Sequence, residues 1–373
     1  MEKRFIPVAA PTLGKEELNN VIKAVKSGWI SSRGEYIGKF EKEFAKYLGV
    51  KYTTTVSSGT SGLHLALLAF KIKKGDEVIV PDLTYVATAN AVAYVGATPV
   101  MVDVESDYWC IDPKAILKAI TKRTKAIIPV HLYGNMAAMT EILKIAKKHR
   151  LYVIEDAAEA HGAEYKGKKA GSLGDIGVFS FFGNKIMTTG EGGMVVTNDK
   201  KIYKRASFLK NQAQIPENRY WHPEIGFNYR MTNLQGAIGC AQLNKLNTLI
   251  NKKRKIFQWY KKYLADLKDI KINQERKNTK SVYWMASLVL GKNIRKKISR
   301  DALMKLLKKD GIETRPFFYP VSKMPMYKNN QRFSNPNTYT LSKRGLNLPS
   351  GVNLTEKDVK FICEKIRKII RNG

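Results

Sequence analysis

The 373-residue chain reads as an α/β protein: a large domain with a largely parallel sheet under helices, then a smaller α+β domain. Two patterns predict this. Over about residues 50–200, short β-branched or apolar runs alternate with helix-like stretches, as in a parallel sheet covered on both faces. Beyond about residue 240 the texture turns polar and lysine-rich, and the length suits two domains rather than one. The expected division is 1–245, including an N-terminal arm, and 246–373.

The elements follow in order. Strands are expected at residues 52–56, 78–81, 99–104, 125–131 and 151–155, with helices at 62–70, 85–95, 113–120 and 140–149. Two further strands fall at 178–182 and 193–197. Residues 242–264 read as one long helix bridging the domains. A strand over 283–290, a helix over 300–309 and an extended, proline-punctuated stretch over 314–325 come next. The last helix opens on Thr355-Glu356-Lys357-Asp358, a capping-box pattern. Its apolar residues Val359, Ile362, Cys363, Ile366, Ile369 and Ile370 recur at helical spacing.

Composition narrows the function classes. A hydrophobic fraction of 44% suits a globular core, and no apolar run has the length of a membrane span or a secretory signal. Cys110, Cys240 and Cys363 are odd in number and widely spaced, which gives neither a disulfide framework nor a metal-ligand pattern. A reducing, cytoplasmic setting is the default. The net charge of +33 is abnormal. A nucleic-acid binder would add an aromatic platform, zinc-finger spacing or a helix-turn-helix, and the chain has none. Nucleic acid is therefore not the expected partner, whereas an anionic substrate such as a sugar nucleotide suits the charge.

Three segments carry the chemistry. Ser57-Ser58-Gly59-Thr60-Ser61-Gly62 follows a strand and opens an apolar helix. Glycine lets the backbone approach an anion there, and the first helical N–H groups, with the Ser58 and Thr60 hydroxyls, favour a phosphate. Alone, this is also an ordinary capped turn. Asp156 closes an apolar strand, where a carboxylate can keep a pyridine nitrogen protonated. Taken singly it is equally a helix cap or a metal or ribose ligand. Lys185 lies between Phe179-Ser180-Phe181-Phe182-Gly183-Asn184 and a glycine-rich stretch, a confined setting that frees the amine as a nucleophile. Tyr85 follows another strand end, and its ring can stack on a planar cofactor or pack in the core. The ordered set supplies what is needed to hold pyridoxal phosphate as a Schiff base, with its protonated ring as electron sink.

These segments, with Gly28-Trp29-Ile30-Ser31-Ser32-Arg33-Gly34 and Gly226-Phe227-Asn228-Tyr229-Arg230-Met231-Thr232-Asn233, resemble those of the DegT/DnrJ/EryC1/StrS sugar aminotransferases. The likeness runs from about Pro7 to the final helix. It implies the aspartate-aminotransferase (fold type I) architecture, with a central mixed, mostly parallel sheet, in a homodimer whose active sites lie at the subunit interface. It implies Lys185 as the Schiff-base lysine, Asp156 as partner of the pyridine nitrogen, Glu159 beside the phenolic oxygen and Tyr85 as the stacking ring. Gly59, Thr60 and Ser180 match phosphate ligands, and Asn228 matches a residue reaching the phosphate of the neighbouring subunit. For the sugar nucleotide the likeness points to Ser31, Arg219, Tyr220 and the stretch from Arg315 to Tyr319. Relatives with histidine at the lysine position dehydrate sugars, and Lys185 argues against that chemistry. The implied activity is transfer of an amino group from L-glutamate to C4 of a nucleotide-linked 4-keto-6-deoxyhexose. GDP-perosamine is the expected product, with viosamine on UDP or dTDP as the alternative. Outside that class stand a basic nucleic-acid binder without catalysis and a pyridoxal-phosphate fold with only a structural or regulatory role.

Overall fold

The computed structural model describes residues 5–215 and 217–372. Two helices, α1 (Lys15–Lys26) and α2 (Glu35–Leu48), precede an alternating series. That series is β1 (Tyr52–Val56), α3 (Gly59–Ala69), β2 (Glu77–Pro81), α4 (Ala87–Tyr94), β3 (Thr98–Val102), α5 (Pro113–Ala119), β4 (Thr124–Ile127), α6 (Met139–His149) and β5 (Tyr152–Asp156). A short hairpin, β6 (Glu164–Tyr165) and β7 (Lys168–Lys169), leads to β8 (Ile176–Ser180) and β9 (Gly193–Thr197). Helices α7 (Lys200–Lys210), α8 (Asn233–Asn244) and α9 (Leu246–Tyr263) follow. The C-terminal part contains β10 (Ile270–Ile272), β11 (Thr279–Lys280), β12 (Ser287–Leu290), α10 (Lys292–Lys297), α11 (Arg300–Lys309), β13 (Arg315–Pro316), α12 (Pro336–Arg344), β14 (Gly345–Asn347) and α13 (Glu356–Asn372).

Seven strands form the main sheet in the order β1-β9-β8-β5-β4-β2-β3. Neighbours pair parallel except where β9 runs against both β1 and β8. Side chains alternate across the strands and sort into two cores, as the period of two requires. Ile79, Val100, Val102, Ile127 and Val153 pack with α2, α5, α6 and α8 on one face. Val78, Val80, Met101, Ala126, Ile154 and Val178 pack with α3, α4 and α7 on the other. Coverage on both faces explains why these strands read as continuous apolar runs. A third core joins α9, α11, α13 and β12, and it includes Ile6 from the N-terminal arm, which bridges to Ile312. Here a four-stranded antiparallel sheet, β10-β12-β14-β13, backs the helices. Among the described residues no helix is long and apolar enough to cross a membrane.

The capping box at the last helix forms as read, with Thr355 N donating to Asp358 Oδ2 at 2.8 Å and Asp358 N returning to Thr355 Oγ1 at 3.3 Å. Several boundaries differ. The expected helix over 85–95 begins at Ala87, leaving Tyr85 in the loop that enters it. The single helix over 242–264 is two, because Lys245 (φ −101°, ψ 4°) breaks the run between α8 and α9. The strand over 283–290 starts only at Ser287, since Tyr283 sits at φ 47°, which no strand accommodates. In the stretch over 314–325 only Arg315–Pro316 pairs, and short 3-10 turns at Val321–Lys323 and Pro325–Asn330 follow.

Candidate active site

The carboxyl ends of β1, β2, β5 and β8 open into one cleft of about 390 Å3, at the edge where open parallel sheets bind ligands. Ser58, Gly59, Thr60, Tyr85, Asp156, Glu159, Ser180, Lys185 and Arg315 all line it. Of the fourteen residues expected to bind cofactor or substrate these nine line the cleft, whereas Tyr319 is exposed and outside the lining. Ser31, Arg219, Tyr220 and Asn228 are not in the cleft either. All four are exposed; Arg219 stacks over the Tyr220 ring at 4.9 Å, and Asn228 accepts from Arg230 Nε at 3.0 Å.

Local sequence builds the anion end. Ser58 caps α3 by accepting from Ser61 N at 3.1 Å, and the Ser61 hydroxyl accepts from Ser58 N at 3.0 Å. This reciprocal cap uses the Ser61 N–H and leaves those of Gly59 and Thr60, both in the cleft lining, without an intrahelical partner. Gly59 is required by close approach: a Cβ there would stand 2.9 Å from Ser180 Cβ.

At the other end Asp156 is buried. It accepts from Thr88 Oγ1 at 2.8 Å and from Ala158 N at 3.2 Å, and burial holds its carboxyl above the usual range. Three residues on, Glu159 accepts from Tyr133 N at 2.8 Å. Tyr133 adopts a left-handed φ of 53° to present that N–H, a strained position for a bulky residue. Burial pushes the Glu159 carboxyl up to about 7, against the pull of Lys185.

Lys185 sits in the β8–β9 connection. That loop is pinned by Thr189 N and Thr188 Oγ1, which both donate to Phe181 O at 3.0 and 2.8 Å. The Lys185 ammonium lies 3.7 Å from Glu159 Oε1 and 4.2 Å from the centre of the Trp284 ring. His161 lies behind, fully buried against Phe179 and Phe181, and burial drives its imidazole down to about 3.

Phe318, within the expected stretch from Arg315 to Tyr319, lines the cleft, whereas sequence reasoning missed Thr88, Trp284, Met285 and Asn347, which line it too. Thr88 had a signal, since it lies three residues past Tyr85 at the start of a helix. The others come from the C-terminal part, more than 95 residues after Lys185, and no local pattern marks them. Among the described residues no His, Cys, Asp or Glu cluster is arranged to hold a metal.

The chain resembles known proteins along nearly its whole length. The model of the DegT/DnrJ/EryC1/StrS aminotransferase family matches residues 11–367. The chain is 48% identical to a GDP-perosamine synthase of Escherichia coli O157:H7, covering 98% of each sequence. It is 46% identical to a GDP-perosamine synthase of Caulobacter vibrioides, again over 98% of each. A putative sugar aminotransferase of Streptococcus pneumoniae, solved in its PMP form, superimposes with a TM-score of 0.93 at 27% identity, covering 99% of this chain and 98% of that one. With the match spanning nearly its whole length, the chain belongs to the DegT/DnrJ/EryC1/StrS aminotransferase family.

Proposed function

We propose that the protein is a pyridoxal-phosphate-dependent aminotransferase moving an amino group from L-glutamate to C4 of a GDP-linked 4-keto-6-deoxyhexose, with a GDP-perosamine-type product. The observation that carries the substrate is the near-half identity to two GDP-perosamine synthases along almost the entire chain.

The residues in the cleft fit the cofactor. The capped N-terminus of α3, open where Gly59 meets Ser180, suits a phosphate held by Ser58, Gly59, Thr60 and Ser180. Asn184 Oδ1 is buried in the cleft wall without a hydrogen-bond partner among the described residues, an acceptor left for a bound molecule. The Asp156 carboxylate, unfavourably buried by itself, gains from a protonated ring nitrogen set against it. Glu159 and Tyr85 flank the ring position, as hydrogen-bond and stacking partners. Bound pyridoxal phosphate supplies the carbonyl that takes the amine and the ring that accepts the electron pair released at the donor's α-carbon.

The protein's own residues do the rest. Lys185 holds the cofactor and, once displaced by the donor, carries the proton from the α-carbon as general base, returning it as general acid. The same lysine serves the sugar half-reaction, so donor and acceptor use one site in turn. Arg315 and Tyr319 contact the sugar nucleotide. Ser31, Arg219, Tyr220 and Asn228, all outside the chain's own cleft, serve the cleft of a second subunit in a homodimer. Support for that assembly is the run of exposed apolar side chains at Leu13, Leu18, Ile22, Val25, Trp29 and Ile30. The basic surface draws in anionic sugar nucleotides rather than nucleic acid.

Steady-state kinetics with GDP-, UDP- and dTDP-linked 4-keto-6-deoxyhexoses test the substrate. A preference for the GDP sugar of about tenfold or more in kcat/KM is expected. Equal or reversed preference removes the GDP assignment. If glutamate leaves the visible band of the bound cofactor unchanged, the aminotransferase reading goes with it.

A further inference from the structure

Behind the cleft, α9 turns Lys253 inward between Leu249, Ile250, Ile256 and Phe257. An ammonium is costly to bury, and here the cost is uncompensated by any carboxylate among the described residues: burial alone pushes its pKa down to about 7. Its partners are two backbone carbonyls, of Trp284 at 3.0 Å and of Ser350 at 2.5 Å. One helical turn on, the Phe257 ring stacks on Tyr283 with centroids 3.8 Å apart and planes 9° from parallel. Residues 253 and 257 share a helix face, so together they seat the turn at 283–284, including Tyr283 in its left-handed conformation. Trp284 then reaches the active-site loop. Its Nε1 donates to Asn184 O at 2.8 Å, and its ring lies under the Lys185 ammonium.

We infer that Lys253 is a positioning residue for Lys185, acting through Trp284 and the Asn184 carbonyl. The inference deepens the aminotransferase reading and rests on it. A lysine retained in an apolar core without a counter-ion is explained by what it fixes: the Trp284 main chain, hence the indole, hence the direction of the reactive amine.

Lys253→Met and Trp284→Phe, made singly and together, test the relay. Two readouts do not depend on turnover: amide exchange of residues 183–186 in protein stripped of cofactor, and the rate at which added pyridoxal phosphate becomes fixed to Lys185 by borohydride. Each single variant is expected to speed the exchange about tenfold and slow the fixation about tenfold. The double variant should be no worse than the more impaired single, because both cut the same chain of contacts. In turnover, kcat should fall while KM for the sugar nucleotide stays within about twofold. Effects that multiply in the double variant, or unchanged exchange and fixation in folded Lys253→Met protein, overturn the inference. Should Lys253→Met not fold, Lys253→Gln, shorter and uncharged but with an amide donor for the two carbonyls, takes its place, and unchanged exchange there is equally fatal; Trp284→Phe, which exchanges the indole for a smaller phenyl ring and removes the donor to Asn184, judges the second link, and unchanged exchange there is fatal too. Wild-type protein that never fixes pyridoxal phosphate at Lys185 sinks the aminotransferase reading instead, and the exchange measurement still judges the relay.

Discussion

Strand β5 ends in two adjacent carboxylates that point to opposite faces of the sheet and live in opposite circumstances. Glu155, on the α6 side, is saturated: it accepts from Gly171 N, Leu173 N and Gly174 N at 3.0, 2.7 and 2.6 Å, and from His131 Nε2 at 2.8 Å. The tautomer follows from the other ring nitrogen, Nδ1, which accepts from Ala137 N at 3.2 Å, so Nε2 carries the proton. Asp156, on the cleft side, has one hydroxyl and one distant N–H, and Glu159 below it has a single N–H and a lysine at 3.7 Å. Burial is similar on both faces, so burial does not distinguish structure from function here. The supply of donors does: a carboxylate with every lone pair occupied holds a loop in place, and one left under-supplied awaits a ligand.

The largest way to test that contrast is to remove the cation the cleft carboxylates face. Lys185→Ala takes away the proposed anchor and proton carrier, and single-turnover kinetics with glutamate should slow by about 10,000-fold. Retained turnover would show that the under-supplied carboxylates serve some other chemistry. Asp156→Asn comes next. It keeps the shape and the Thr88 contact but loses the charge, so a loss of roughly 100–1,000-fold in kcat/KM is expected, with weaker retention of pyridoxal phosphate on gel filtration. A loss no greater than that of the Glu155 variant below would erase the distinction between the faces.

The same contrast bears on what the sequence disclosed. The cleft residues from β1, β5 and β8 were legible because each follows its strand within a few positions, and a strand end in an alternating pattern is recognisable locally. Trp284 and Asn347 were not. They arrive through the fold of the C-terminal part, and Tyr283, whose left-handed backbone turns Trp284 toward the loop, looks in sequence like one more strand residue. Arg315 was placed near the site only by family likeness. Ser31, Arg219, Tyr220 and Asn228 came from that likeness too, and the single chain leaves them outside its own cleft. The β5 carboxylates lie between these extremes. Asp156 was picked out, but the donors that saturate Glu155 come from loop 171–174 and His131, which only the fold brings together.

Glu159 gives a pH-dependent test of intermediate size. Its ordinary value is 4.5, and burial pushes it up to about 7 in the cofactor-free fold. A raised carboxylate contributes stability that is complete below the ordinary value and disappears as pH rises through about 7. The stability lost is at most about 3 kcal/mol. Lys253, pushed down to about 7, works in the other sense, its contribution being present at high pH and lost as pH falls through about 7. The comparison must therefore be between wild type and Glu159→Gln at each pH. In urea unfolding of stripped protein, the glutamine variant should gain on wild type between pH 5 and 8. A constant difference across that range would mean that Glu159 is already paired as well as Glu155 is.

The smallest effect on chemistry is expected where the hydrogen bonding is richest. Glu155→Gln replaces one acceptor oxygen with an amide that points its own hydrogens at existing donors. Whichever way the amide turns, either Leu173 N and Gly174 N or Gly171 N and the His131 ring lose their acceptor. Buried donors left so cost about 1–3 kcal/mol. That should lower the urea midpoint while kcat at saturating substrates stays within about threefold of wild type. The separation of the two readouts is the point. Loss of stability without loss of turnover belongs to a carboxylate that holds the floor of the sheet, whereas a turnover loss matching that of Asp156→Asn would mean that strain in loop 171–174 passes through β5 into the cleft.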